Sequence, residues 1–323
     1  MKRRLLQYLL LALLIGVSVY GITNAQNIRD AIKLRGYQPS DEIAALPTDT
    51  AMTDKARRIF YVNHPAVAAK KAFSNFCEAR QEQTIVLGCY HGNQNGIYVL
   101  DVTDGRLAGV EQVTAAHEML HAAYDRLSSK QKTAINAQLQ DYYDNHLTDS
   151  RIKQTIDSYK KTEPHDVVNE MHSIFGTEVA SLPPGLEGYY SQYFTDRQVV
   201  VKKAAAYETE FSSRRTQIAA DDTQLGAWHA QIERQQAELS SMSDSISTDR
   251  NRLDGYRSGG NAAAYNAAVP AYNAKVDLYN RKLASLRGLI TKYNDLVDER
   301  NQLANQIDDL VQAISSSDIP SAQ

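Results

Sequence analysis

The chain has 323 residues, 43% of them hydrophobic, and a formal net charge of -3 at pH 7. This length is enough for one large domain or two modest ones. The nearly balanced charge argues against a strongly basic nucleic-acid-binding protein, and we expect no nucleic acid among the partners.

The first 26 residues predict a membrane or secretory segment. Lys2, Arg3 and Arg4 precede an apolar run from Leu5 to about Ile22. Basic residues stay on the cytoplasmic side of a membrane, so this pattern sends the rest of the chain outward. The run is short for a membrane span and long for a signal peptide, so a signal anchor and a cleaved signal both stay open. We expect a single-pass cell-membrane protein with its C-terminal bulk extracytoplasmic, or a secreted protein.

The cysteines agree with an oxidising compartment. The chain has two, Cys77 and Cys89. Their spacing suits a disulfide that closes a short loop or joins a helix end to a strand. Two buried free thiols are the alternative.

Residues 27–198 predict an α+β domain that is mostly helical, with a small antiparallel sheet. The segment "AVAAKKAFSNFC" is typical of a helix. The segments "TIVLGCY" and "GIYVLDV" are typical of two strands, with turn residues in "HGNQNG" between them. Helices are predicted after them at about 111–127, 129–147, 149–161 and 164–180.

Residues 199–315 predict a long antiparallel helical-hairpin coiled coil. Apolar residues recur at alternating steps of three and four on both sides of the turn segment "RSGGN", as in coiled coils. Repeated Tyr-Asn pairs in the second arm predict a partly polar seam. Pro270 marks either a kink or a later start of that arm. Residues 316–323 are expected to form a disordered tail.

The segment "EQVTAAHEMLHAAYDRL" contains His117, Glu118 and His121 in an HExxH motif. Residues four apart share one face of a helix, so the two imidazoles can bind one ion. Glu118 can then take a proton from the attacking water without being a ligand itself. The motif lies among small and apolar residues, where polar groups need partners. We therefore predict a metal site, with a structural pair of histidines as the alternative.

The segment "HDVVNEMHSIFGTEVASL" resembles the gluzincin (thermolysin-like) zinc metallopeptidases, in which a downstream helix supplies a glutamate from an Asn-Glu pair. Asn169 and Glu170, followed by "SIFG", carry the resemblance. It implies a zincin-like fold, a Zn²⁺ cofactor bound by His117, His121 and Glu170, and hydrolysis of a peptide or protein substrate.

Neighbouring side chains leave other assignments open. Glu178 lies two turns beyond Glu170 on roughly the same helical face and is an alternative third ligand. Asp166 lies one turn before Glu170, where it could orient a histidine. His172 points to the opposite side of the helix, so it and Glu170 cannot bind one ion.

Two further parts of such a site are expected elsewhere in the chain. Tyr189, Tyr190, Arg197 and His165 are candidates for stabilising an oxyanion, with packing as the alternative role for the tyrosines. The strand "GIYVLDV" is a candidate for pairing with an extended substrate, or it only completes the sheet.

Together these patterns predict a membrane-associated extracytoplasmic zinc metalloendopeptidase with Glu118 as general base. The coiled coil is expected to position the catalytic head, to self-associate or to bind a partner. A non-enzymatic cell-envelope scaffold with a structural zinc site is the alternative. Hydrolysis of a non-peptide bond is a third interpretation.

Overall fold

The computed structural model describes residues 13–16, 18–21, 23–77 and 86–315. The helices and strands in chain order are α1 (Ala25–Lys33), α2 (Asp41–Asp49), α3 (Asp54–Tyr61), β1 (Ala66–Ala68), α4 (Lys70–Phe76), β2 (Gly88–His91), β3 (Gly96–Leu100), α5 (Val110–Asp125), α6 (Ser129–Asn145), α7 (Ser150–Thr162), α8 (Val167–Thr177), α9 (Pro184–Tyr190), α10 (Gln198–Ser258) and α11 (Ala262–Ile314).

The predicted N-terminal segment lies partly outside the described residues, and the predicted tail at 316–323 lies wholly outside them. Residues 13–16 and 18–21 are helical. Among the helices that the structure describes, none is long and apolar enough to cross a membrane.

The sheet is mixed rather than antiparallel. Its strand order is β1-β3-β2, with β3 antiparallel to β2 and parallel to β1. The predicted hairpin of β2 and β3 is present, but the prediction of a purely antiparallel sheet is wrong. Residues 66–68, predicted as the start of a helix, form β1, and the helix starts only at Lys70. The sequence Ala-Val-Ala does not by itself disfavour a helix. Its conformation is determined by pairing with β3, which lies far away in the sequence.

Helices α5 and α8 form the centre of the helical core. They pack closely against each other, and α5 also packs against β2 and β3. Gly176 of α8 permits this approach, because a Cβ there would lie 2.4 Å from Leu120 Cδ1 of α5. The first turn of α5 has a similar requirement at Gly109, whose φ of 100° is a left-handed conformation that favours glycine.

A disulfide joins Cys77, directly after α4, to Cys89 in β2. The predicted bridge between a helix end and a strand is therefore confirmed. It fixes β2 to the segment that follows α4.

A buried carboxylate fixes α1 to the rest of the domain. Asp30 is 1% exposed. It accepts two hydrogen bonds of 3.0 Å from Arg126, the residue that ends α5, and one of 3.2 Å from Arg58 of α3. Because a buried charge needs such partners, α1 is held in one position on the domain.

The chain divides into two compact units, one with the residues up to Glu210 and those from Leu310, the other with Phe211–Asp309. The boundary falls a few turns later in α10 than residue 198. Val200 and Ala204 explain this position, because both are buried in the core of the first unit.

The second unit consists of the central parts of α10 and α11, which pack together as a long helical hairpin. Lys282 contacts Glu238 at 2.8 Å, and farther from the turn Arg300 contacts Asp222 at 3.0 Å. The predicted hairpin is confirmed. Pro270 lies inside α11, so a later start of that arm is wrong.

Candidate metal centre

His117, His121 and Glu170 meet at one point between α5 and α8. The Nε2 atoms of the two histidines are 3.0 Å apart. Glu170 Oε2 lies 3.5 Å from His117 Nε2, and Glu170 Oε1 lies 3.4 Å from His121 Nε2. In the described part of the chain, these three side chains form a group that could bind one metal ion.

The three groups are close enough together to bind one small cation. With bonds of about 2.0–2.1 Å to nitrogen and oxygen, neighbouring ligand atoms of tetrahedral zinc are about 3.3 Å apart. The histidine nitrogens are 3.0 Å apart, and the two Glu170 oxygens lie 3.4 and 3.5 Å from one histidine nitrogen each. Taken with one ligand atom per residue, the three atoms lie within 4.8 Å of one another. Two imidazoles and one carboxylate are also a common donor set for zinc with an open fourth position.

The Glu170 carboxylate is buried without a full set of partners. The residue is 8% exposed, and its Oε2 atom has no hydrogen-bond partner. Burial acts to raise the pKa of this carboxyl, but His121 and His117 outweigh it, so the net shift is downward. An unpaired buried carboxylate oxygen is an unfavourable arrangement that a bound cation would relieve.

Glu118 lies beside this cluster and is also buried. It is 6% exposed, and burial raises its pKa to about 7, with Glu170 adding to the increase and His121 opposing it. The β2 strand passes directly over its side chain, because a Cβ on Gly88 would lie 2.8 Å from Glu118 Oε1 and 2.5 Å from Thr114 Cγ2. Glu118 therefore stands between the cluster and the strand.

The cluster opens into a cleft of about 920 Å³. One wall is β2 with the residues around it, the floor is α5, and the opposite wall contains residues of α7 and α8. The three cluster residues, His117, His121 and Glu170, all line the cleft, as does Glu118. The cluster is therefore open to ligands on one side.

The strand that borders the cleft is β2, and its outer edge carries no strand in the described part of the sheet. Leu100 donates its N–H to the Leu87 carbonyl at 2.8 Å. Successive residues of a strand direct their backbone groups to opposite sides, so the N–H and C=O of Gly88 and Tyr90 point away from β3. Of the two roles predicted for "GIYVLDV", the structure favours completion of the sheet over substrate pairing, because β3 is the central strand and pairs with β1 on one side and β2 on the other.

The alternative ligand and the orienting carboxylate lie apart from the cluster. Glu178 lines the same cleft, but its Oε2 accepts a 2.8 Å hydrogen bond from Arg151 and it is not part of the three-residue set. Asp166 also lines the cleft. No hydrogen bond joins it to either histidine in the described chain.

The candidate oxyanion stabilisers lie outside the cleft. Tyr189 hydrogen-bonds His172 Nε2 at 2.9 Å, and Tyr190 donates to the His172 carbonyl at 2.7 Å. Both tyrosines therefore support α8 from its far side, while His165 is exposed and does not line the cleft. His172 is completely buried away from the cluster, and burial lowers its pKa to about 3, so the ring stays neutral.

Arg197 is buried and holds the end of α8. It is 5% exposed, donates to the Val179 carbonyl at 2.5 Å and to the Phe175 carbonyl at 3.3 Å, and pairs with Glu187 at 3.0 Å. Its guanidinium is fully engaged in these contacts. It is thus a structural residue rather than an oxyanion stabiliser.

The cleft also contains residues that the sequence did not single out, notably Gly88, Asp125 and Tyr159. Asp125 lies one turn after His121, and that spacing alone would have placed it on the same helical face. Gly88 and Tyr159 become neighbours of the site only through tertiary packing.

Comparison of this chain with protein-family models, with curated proteins and with solved structures found no match.

Proposed function

We propose that this protein is a zinc-dependent endopeptidase whose metal is held by His117, His121 and Glu170. The observation that carries the proposal is the convergence of His117, His121 and Glu170, whose ligand atoms all lie within 4.8 Å of one another, on the lining of an open cleft. A structural zinc site is closed by four protein ligands, whereas a catalytic site keeps one position for water or substrate. Three ligands beside an open cleft favour the catalytic kind.

When bound, zinc would polarise the scissile carbonyl and lower the pKa of the attacking water. Glu118 would take the proton from that water and deliver it to the leaving amine. Its position supports this role, since the carboxylate is buried beside the ligands and lines the same cleft. Burial also excludes bulk water that would compete for the proton.

The open edge of β2 would bind the substrate. Gly88 and Tyr90 offer backbone donors and acceptors on the side away from β3, and an extended peptide can add to such an edge as a further strand. Gly88 lies directly over Glu118. A peptide paired with Gly88 would therefore present its backbone next to the general base.

The arrangement of the HExxH helix and the Glu170 helix supports a zincin-like fold of the gluzincin type. In this interpretation α5 supplies two ligands and the base, and α8 supplies the third ligand. The mixed sheet that borders the cleft supports the same interpretation.

The protein is proposed to act outside the cytoplasm. The disulfide between Cys77 and Cys89 supports an oxidising compartment. Residues 1–26 would serve as a signal anchor or a cleaved signal peptide. The hairpin of α10 and α11 would act as a coiled coil that positions the catalytic unit, self-associates or binds a partner.

The test combines metal content with peptide cleavage. Wild-type protein purified without chelator should contain close to one zinc per chain by inductively coupled plasma mass spectrometry. Glu118→Gln should keep that zinc and lose essentially all cleavage of a peptide library, since it removes only the base.

A zinc-loaded wild-type protein that cleaves no peptide would favour the scaffold with a structural zinc site. Cleavage that survives in Glu118→Gln would remove Glu118 from its assigned role. Absence of zinc after its addition would overturn the metal site itself.

A further inference from the structure

The charged side chains that line the cleft are carboxylates. They are Glu118, Asp125, Glu163, Asp166, Glu170 and Glu178, whereas no lysine or arginine lines the cleft among the described residues. A cleft lined by one sign of charge concentrates ligands of the opposite sign. The chemistry of this surface therefore favours cationic groups on a substrate.

Part of this negative charge already has a function. Glu118 and Glu170 belong to the proposed catalytic centre, and Glu178 is paired with Arg151 at 2.8 Å. Asp125 and Asp166 are exposed members of the set. Asp166 occupies the N-cap position of α8, yet its side chain makes no capping hydrogen bond.

Asp125 and Asp166 lie toward the same end of the cleft, because α5 and α8 run antiparallel: Gly176 lies beside Leu120, and His172 lies beside Tyr124. Asp125 follows His121 by one turn of α5, and Asp166 precedes Glu170 by one turn of α8, so each extends the ligand face of its helix. Burial raises the pKa of the Tyr124 hydroxyl, and the carboxylates of Asp166 and Asp125 add to this increase. Both carboxylates therefore act on the same neighbouring side chain.

Two basic side chains near this end, Arg126 and Lys132, have partners outside the cleft. Arg126 binds Asp30 with two hydrogen bonds of 3.0 Å. Lys132 Nζ lies 4.5 Å from the centre of the Tyr124 ring, and it does not line the cleft. Neither side chain supplies a cation to the cleft surface between Asp125 and Asp166.

The open edge of β2 leads from the catalytic centre to these carboxylates. Gly88 lies over Glu118, and Tyr90 donates its hydroxyl hydrogen to Asp125 Oδ2 at 3.0 Å. Two residues of a strand span about 6.6 Å, and one helical turn from His121 to Asp125 rises about 5.4 Å. A peptide along this edge would therefore reach Asp125 about two residues from the point where it passes Glu118.

A second observation shows that this cleft is built for a ligand. Glu170 is 8% exposed, lines the cleft, and has a buried carboxylate oxygen, Oε2, without a hydrogen-bond partner. Asn169, between Asp166 and Glu170 in sequence, also lines the cleft and has a buried amide oxygen without a partner. Buried polar atoms in this state are usually completed by something that binds.

We propose that Asp125 and Asp166 form a subsite for a lysine or arginine side chain of the substrate, about two residues from the scissile bond. The position relative to a scissile bond rests on the proposed peptidase function. The subsite itself requires only that a cationic peptide binds along β2.

The experiment measures binding separately from cleavage. Zinc-loaded full-length Glu118→Gln is titrated, by fluorescence anisotropy, with matched peptides in which a single arginine is replaced by citrulline, its neutral isostere, at successive positions. At one position the arginine peptide should bind about tenfold more tightly than the citrulline peptide, and the difference should shrink at high salt.

Charge-removing variants locate the subsite. In the Glu118→Gln background, Asp125→Asn and Asp166→Asn should each reduce the ratio of arginine-peptide to citrulline-peptide affinity about three- to tenfold. Both substitutions remove the charge and keep the shape of the side chain. Asp144→Asn is the matched control, because Asp144 is exposed on α6 and does not line the cleft. It should leave the ratio unchanged.

The outcomes separate the two proposals. Equal binding of arginine and citrulline peptides at every position, or an unchanged ratio in both cleft variants, would overturn the subsite. Cleavage of both peptides by the wild-type protein without an arginine preference would overturn it while leaving the peptidase. Charge-dependent binding without any cleavage would overturn the peptidase and leave the subsite.

Discussion

Gly88 and Glu118 are in such close contact that position 88 has no room for a side chain. A Cβ there would lie 2.8 Å from Glu118 Oε1 and 2.5 Å from Thr114 Cγ2. Distances below about 3.0 Å between such atoms require a shift of one of them. The identity of residue 88 thus determines where the carboxylate of the proposed general base can lie.

Gly88→Ala is therefore expected to impair both catalysis and stability. The added methyl group must displace either β2 or the Glu118 side chain, which should lower kcat at least about tenfold, since small misplacements of a catalytic group are costly. Overpacking should reduce the free energy of unfolding by about 1–3 kcal/mol. Steady-state kinetics and thermal unfolding measure the two effects.

Gly105→Ala is the control for this prediction. No atom lies within 4 Å of a Cβ at position 105, so kcat should stay at the wild-type value. Wild-type kcat in Gly88→Ala would mean that Glu118 is not positioned by β2.

The third metal ligand is predicted to be Glu170 rather than Glu178. Glu170→Gln replaces a carboxylate that lies 3.4 and 3.5 Å from the two histidine nitrogens, and zinc affinity should fall by roughly 100-fold or more. Glu178→Gln should retain zinc, because that side chain pairs with Arg151. Zinc titration against a competing chelator ranks the two variants, and the reverse order would move the ligand to Glu178.

Removal of the metal is predicted to destabilise the first unit. A ligand present at a thousand times its dissociation constant stabilises the folded state by about 4 kcal/mol. For a unit of this size that stabilisation corresponds to a decrease of about 10 °C in Tm on chelation. Calorimetry with and without chelator tests this, with His117→Ala as the control whose Tm should not respond.

Arg197 is predicted to stabilise the fold without taking part in catalysis. Arg197→Met leaves the carbonyl groups at the end of α8 without their donor and should reduce the free energy of unfolding by about 3 kcal/mol. Glu187→Gln, which keeps an acceptor for the guanidinium, should reduce it by about 1 kcal/mol. A normal Tm together with a large loss of kcat in Arg197→Met would instead restore the oxyanion role.

Local patterns in the sequence were sufficient for the helices α5 to α8 and for the hairpin of α10 and α11. The amphipathic period around His117 and His121 predicted α5 to within two residues at each end, because helix formation depends on neighbours three and four apart. The alternating steps on both sides of the glycine turn predicted α10 and α11 for the same reason.

Features that depend on tertiary contacts were predicted wrongly or not predicted. The central position of β3 follows from its pairing with β1, and a strand order of this kind leaves no local signal. Arg197 stood in a polar, tyrosine-rich segment typical of a surface, and its burial depends on the carbonyls at the end of α8. Glu170 was assigned through family resemblance, since its distance from the histidines depends on the packing of α5 and α8.

The buried contact between Asp30 and Arg126 has a consequence for which bonds the cleft could reach. Asp30 lies on α1, which follows the proposed membrane segment after a few residues, and Arg126 ends the helix that carries both histidines. In a membrane-anchored protein this contact would tie the position of the cleft to that of α1, and so to the bilayer. The distance of a bond from the lipid surface would then help to decide whether the cleft could reach it.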